Sequence, residues 1–169
     1  GGEAYVFVVD RVSLTKSLTP KILWHSVVNP STYDGYSDVW NAGGGHARIE
    51  YLAPGDAVVS EVGGSGKRWF VDGKNYPPTR ESSGLGDDWG RIEVSAPGAV
   101  LEETFVSAIV VDDAKVSLGR SSMVSGSGFI GAVIGESLVV VLTSEVSSFD
   151  VGAVDGVSEI YVGGVDGSV

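Results

Sequence analysis

Residues 5–30 read YVFVVDRVSLTKSLTPKILWHSVVNP. Two apolar runs flank a polar turn, and the second run carries a Trp-His pair. In residues 5–9 the set Tyr5, Phe7, Val9 alternates with Val6, Val8, and both sets are apolar. Such a strand is covered on both faces, unlike a surface strand with clean alternation. Residues 13–20 are turn chemistry, and residues 22–28 read as the antiparallel return, closing at Asn29-Pro30. Side chains alternate along a strand, so Trp24 and His25 point to opposite faces. Whichever faces the core, its neighbour faces something else.

The pattern continues outward. Residues 31–46 read as a long polar connection holding Tyr33, Tyr36 and Trp40. Strands follow at 47–52, Val58–Val62, 69–71 and 91–94, with a turn at Asp72-Gly73 and a Pro, Ser and Gly-rich loop over 74–88. Residues 103–112 form a clear strand, and 129–134, 137–143 and 159–162 are late ones, with Gly135-Glu136 as a tight hairpin turn. Strands at about ten-residue spacing, without a sustained helical stripe, predict an antiparallel arrangement rather than βαβ units. The expected fold is all-β: a jelly-roll-like sandwich of two antiparallel sheets, one domain over residues 1–169.

Hydrophobic residues make up 43% of the 169 and charged ones 20%, the balance of a globular chain. No apolar run approaches the roughly 20 residues of a membrane span. The chain opens at Gly1-Gly2 without a Met or a basic leader, which suits an expression scar or a cut from a longer protein. Eleven Lys and Arg stand against 22 acids, a formal charge of −11. That field opposes nucleic acid and anionic membranes, whose affinity comes from neutralised phosphates. A neutral or weakly charged ligand fits better. There is no Cys, and the scarcity of Met, Asn and Gln is a thermophile trait, although the usual Lys and Glu enrichment is missing.

The two histidines, His25 and His46, lie near acids, and His25 is a candidate metal ligand; the alternative is a hydrogen-bonded structural histidine. Neither has the spacing of a zinc set, so zinc is not expected in the isolated domain. Loop-borne Asp with backbone carbonyls also suits a structural calcium, against solvated turn residues as the plainer account. No GxSxG motif is present, and the glycine clusters at 43–45 and 63–66 precede strands rather than helices, so they read as bends. No residue is assigned a catalytic role.

The aromatic residues speak more clearly. Trp24 and Trp69 are expected in the core, as Trp residues are in many sandwiches. Trp40 and Trp89, beside Gly and Asp, are expected to be exposed, with Tyr33, Tyr36 and Tyr76 near them. Flat rings stack on the C–H face of a sugar and lose little entropy in doing so. Asp38, Asn41, Arg80 and Arg91 are the polar candidates for its hydroxyls.

Four stretches in series, YVFVVDRV (5–12), LWHSVVNP (23–30), VGGSGKRWFVDGKNYPP (62–78) and WGRIEVSAPGAVLEETFVSAIVVDD (89–113), resemble the β-sandwich that follows the α-helical toroid in heparinase II/III-like polysaccharide lyases. The likeness spans residues 5–113. It implies a secreted, extracellular enzyme as parent, with the catalytic domain as partner. The family's β-elimination at a uronic acid relies largely on toroid residues, which this chain lacks. Some members hold zinc in the sheet domain by His and Asp, and only His25 could match such a ligand. The expectation is a carbohydrate-binding accessory module, or else a structural domain docked on the toroid.

Overall fold

The computed structural model describes residues 4–41, 43–79, 89–112, 119–143, 148, 150–152 and 154–164. They form fourteen strands: β1 (Ala4–Leu18), β2 (Lys21–His25), β3 (Ser31–Tyr33), β4 (Tyr36–Trp40), β5 (His46–Ala53), β6 (Val58–Val62), β7 (Phe70–Val71), β8 (Lys74–Asn75), β9 (Arg91–Ser95), β10 (Val100–Asp112), β11 (Ser122–Gly126), β12 (Phe129–Ile134), β13 (Ser137–Leu142) and β14 (Glu159–Gly163). The all-β expectation holds, with no helix among the described residues.

There are four sheets where two were expected. A five-stranded sheet runs β1-β10-β5-β4-β3, a four-stranded one β11-β12-β13-β14, a three-stranded one β2-β9-β6, and β7-β8 make a two-stranded ribbon. All pairings are antiparallel except β13 with β14. That parallel pair needs a crossover between its two strands.

The return strand is a correction. β2 does not pair with β1; it pairs with β9 in another sheet, while β1 pairs with β10 from Ala4↔Val111 to Ser13↔Glu102. The stretch 31–46 is a second correction, since it is mostly the β3–β4 hairpin and the start of β5 rather than a loop.

The five-stranded sheet is covered on both faces. On one, Tyr51 and Phe105 pack with Ile92 and Val94 of the three-stranded sheet, joined by Val12, Ile22, Trp24 and Val59. On the other, Ala108 and Val110 pack with Ala132 and Ile134 of the four-stranded sheet, joined by Tyr5 and Phe7. β1 therefore contributes to both clusters, although Val6 remains half exposed. Fully burying each large apolar side chain here stabilises by about 1.5–3 kcal/mol.

Candidate functional site

At the β3–β4–β5 end of the large sheet, Tyr33 and Trp40 are exposed. Register puts Tyr36 opposite Glu50, Asp38 opposite Arg48, and Trp40 opposite His46, with Tyr33 opposite Tyr36. Period-two alternation therefore gathers Tyr33, Tyr36, Asp38 and Trp40 on one face with His46, Arg48 and Glu50. Glu50 lies opposite Ala108, so this is the face that the four-stranded sheet covers further along.

The contacts fix this row closely. The Trp40 indole and the His46 imidazole lie 3.7 Å apart and 2° from parallel. His46 is buried, and its Nε2 meets Asp38 Oδ1 at 2.9 Å. Arg48 Nε donates to the same oxygen at 2.9 Å. That hydrogen bond raises the Arg48 pKa above its ordinary value, although burial opposes it. Trp40 keeps 42% of its surface exposed, so its indole is backed by a ring and open to water. At the other end of β4, Tyr33 stacks on Tyr36 at 4.8 Å, and the Arg48 and Arg120 guanidinium carbons stand 4.6 and 4.4 Å from the Tyr36 centroid. Arg120 also pairs with the fully buried Glu50 at 3.1 Å, whose other oxygen accepts the Ser121 N–H at 2.7 Å. This pair, of a half-exposed guanidinium with a buried carboxylate, ties the chain entering β11 to the shelf.

The expected ligand-binding set divides in space. Tyr33, Tyr36 and Trp40 form the shelf, and Asp38 lies beneath it with its oxygens engaged by His46 and Arg48. Asn41 closes the β4–β5 loop, its side-chain oxygen accepting N–H groups of Gly43 and Gly45 at 2.8 and 3.0 Å. Tyr76, Arg91 and His25 line a separate groove on the outer face of the three-stranded sheet. Arg80 lies outside the described residues. Trp89 is a correction: it is 7% exposed, with positive φ, and its ring covers Gly63 so closely that a Cβ there would stand 2.8 Å from it. Its Gly and Asp neighbours suggested a loop surface, but a ring can be buried wherever a glycine lets it approach. Trp69 is the converse correction, 36% exposed at the groove rather than in the core. Trp24 packs inward as expected, leaving His25 outward.

Of His46, Arg48 and Arg120, the sequence singled out only His46, as a histidine near acids and not as the partner of Trp40. The first two were legible: YSDVW and HARIE flank a short Asn and Gly-rich turn, so hairpin register alone sets His46 across from Trp40. Arg120 arrives from the distant segment before β11, and nothing local signals it.

As for metal, the acid expected near His25 across a β1–β2 hairpin is not its neighbour; Arg91 holds the paired position. Among the described residues no group of three or more His, Asp or Glu could hold an ion. Compared with known proteins, the chain matches no family model and no curated relative.

Proposed function

We propose that the chain is a non-catalytic carbohydrate-binding accessory module of a secreted polysaccharide-degrading enzyme, holding a neutral or weakly charged glycan on the Trp40 shelf. One observation carries this: an exposed indole held flat by a buried imidazole, itself held by Asp38. A large exposed ring is usually free to turn, and fixing it beforehand removes an entropic cost of binding. Tyr36 and Trp40 lie roughly 13 Å apart along β4, a span of a few linked pyranose rings. Tyr33 extends the same surface, and the edge position of β3 leaves room for a long chain to pass. In this reading the five- and three-stranded sheets are the two leaves of the expected sandwich, and the four-stranded sheet is an addition.

A different observation favours a second reading, a structural domain that docks a catalytic neighbour such as a helical toroid. The edge strand β14 exposes Ile160 and Val162 on one face and Tyr161 on the other, apolar surface of the kind that a partner covers.

Affinity electrophoresis in gels containing neutral polysaccharides tests the first reading. Retardation is expected, and Trp40→Ala removes it. If no polysaccharide retards the chain, or if Trp40→Ala is retarded equally, the binding proposal goes and the docking reading stands.

A further inference from the structure

The groove on the opposite side of the molecule has chemistry of its own. Ile22 and Trp24 of β2 and Ile92 and Val94 of β9 point into the core, so Lys21, Leu23, His25, Arg91 and Glu93 point outward. The chain after β6 folds back over them, and the β7–β8 hairpin turns at Asp72 and Gly73, both with positive φ. Together they enclose a groove of about 770 Å³, within the range of small-ligand sites.

Two features set it apart from the remaining surface. The first is charge. In a protein of net charge −11, three permanent cations, Lys21, Arg68 and Arg91, line this groove against two carboxylates, Asp72 and Glu93. Glu93 is already answered: Lys21 Nζ donates to one oxygen at 2.6 Å and Arg91 Nε to the other at 2.7 Å. Burial pushes the Glu93 carboxyl up, but these hydrogen bonds outweigh it and hold its pKa below the ordinary value. An ammonium has three donors and a guanidinium five, so both cations keep donors that Glu93 does not use.

The second feature is a prepared aromatic wall. Trp69 and Tyr76 are 36% and 57% exposed, yet their backbones are fixed together. Tyr76 N–H donates to the Trp69 carbonyl at 3.0 Å, and Trp69 N–H donates to Asn75 Oδ1 at 3.0 Å. Arg68 stands 5.0 Å from the Trp69 centroid.

We propose that this groove is a second ligand site, independent of the Trp40 shelf, and that it takes a six-membered ring bearing a single carboxylate. The ring lies along Trp69 and Tyr76, and the carboxylate meets Lys21, Arg68 and the remaining edge of Arg91. Cations beside flat aromatic faces suit an anion attached to a ring. Lys74 Nζ also stands 5.0 Å from the Tyr76 centroid, and the modest excess of positive charge suits a monoanion better than a polysulfate, which would also face Asp72, Glu93 and the acidic protein beyond. A sugar acid and an aromatic acid share this chemistry.

The test is a titration of the full chain, followed by its indole N–H resonances, with galacturonate dimer, 4-hydroxybenzoate, the methyl ester of each, and inorganic sulfate. The expected result is a saturable shift of the Trp69 signal with at least one acid, and its ester at least about tenfold weaker. Which acid binds identifies the source. Lys21→Ala and Arg68→Ala each weaken that acid about fivefold, the worth of one exposed charge contact, while Trp40→Ala leaves it unchanged. Esters equal to the acids, sulfate as strong as either, or no Trp69 shift with any acid overturns the proposal. The wild-type acid-against-ester comparison holds whether or not a variant folds.

Discussion

Trp40 and His46 lie ring upon ring, 3.7 Å between centroids, across the narrow β4–β5 hairpin. The exposed partner is the one that could meet a ligand, and the buried partner decides its orientation. His46→Ala therefore leaves the indole in place but unsupported. Its stability cost is about 1–3 kcal/mol, the cost of disturbing a buried hydrogen-bonded group. Glycan affinity should fall roughly tenfold, the worth of immobilising one large side chain again. Thermal melting and affinity electrophoresis of the same variant measure both effects.

Trp89 is buried where its surroundings suggest exposure, while Trp40 stays exposed as expected. Trp89→Ala removes a buried ring and should cost about 3–5 kcal/mol, whereas Trp40→Ala should cost about 0.5–1.5 kcal/mol, the worth of one aromatic pair. Gly63→Ala should resemble the Trp89 variant, because the new methyl meets that ring. Urea unfolding midpoints of the three variants check the ranking.

Glu93 gives the protein an acid-sensitive element. Its folded pKa lies below the ordinary value, so its contribution is complete above the unfolded glutamate pKa of about 4.3. It is lost as pH falls through the lower folded value. Glu93→Gln should cost about 1–3 kcal/mol at neutral pH, and the gap to wild type should narrow as the pH falls below the unfolded glutamate value. Denaturant titrations at several pH values measure this convergence.

Tyr51 does the same at the alkaline end. Burial pushes its phenol up to about 12, although the hydrogen bond to Ser37 Oγ at 2.8 Å opposes the rise. The contribution is intact below the ordinary tyrosine value of about 10 and declines as pH rises toward 12, by at most about 1.4 kcal/mol per pH unit. Tyr51→Phe should lack that component, and ultraviolet titration should show one fewer late-ionising tyrosine.

The same residues show how far the chain could be read. Val58–Val62 and Phe129–Ile134 are bounded as their apolar runs suggest, and the Asp72-Gly73 turn is where its residues say it is. β4 was hidden because its inward position is Ser37, a polar residue that is fully buried only because Tyr51 and Thr32 bond to it. The partner of β1 was hidden because β10 lies far along the chain, and a hairpin with β2 was the nearer alternative. Of the site, the aromatics were legible as a set. Their division between a shelf, a groove and the core depended on pairings that no single segment specifies.

The central claim is that a fixed indole on β4 meets a sugar ring. Titration of a neutral polysaccharide that retards the protein, followed by the four indole N–H resonances, tests it most directly. The account predicts a saturable shift at Trp40, with Trp24, Trp69 and Trp89 unmoved. A titration in which Trp40 stays fixed while another indole shifts, or in which none shifts, would contradict it.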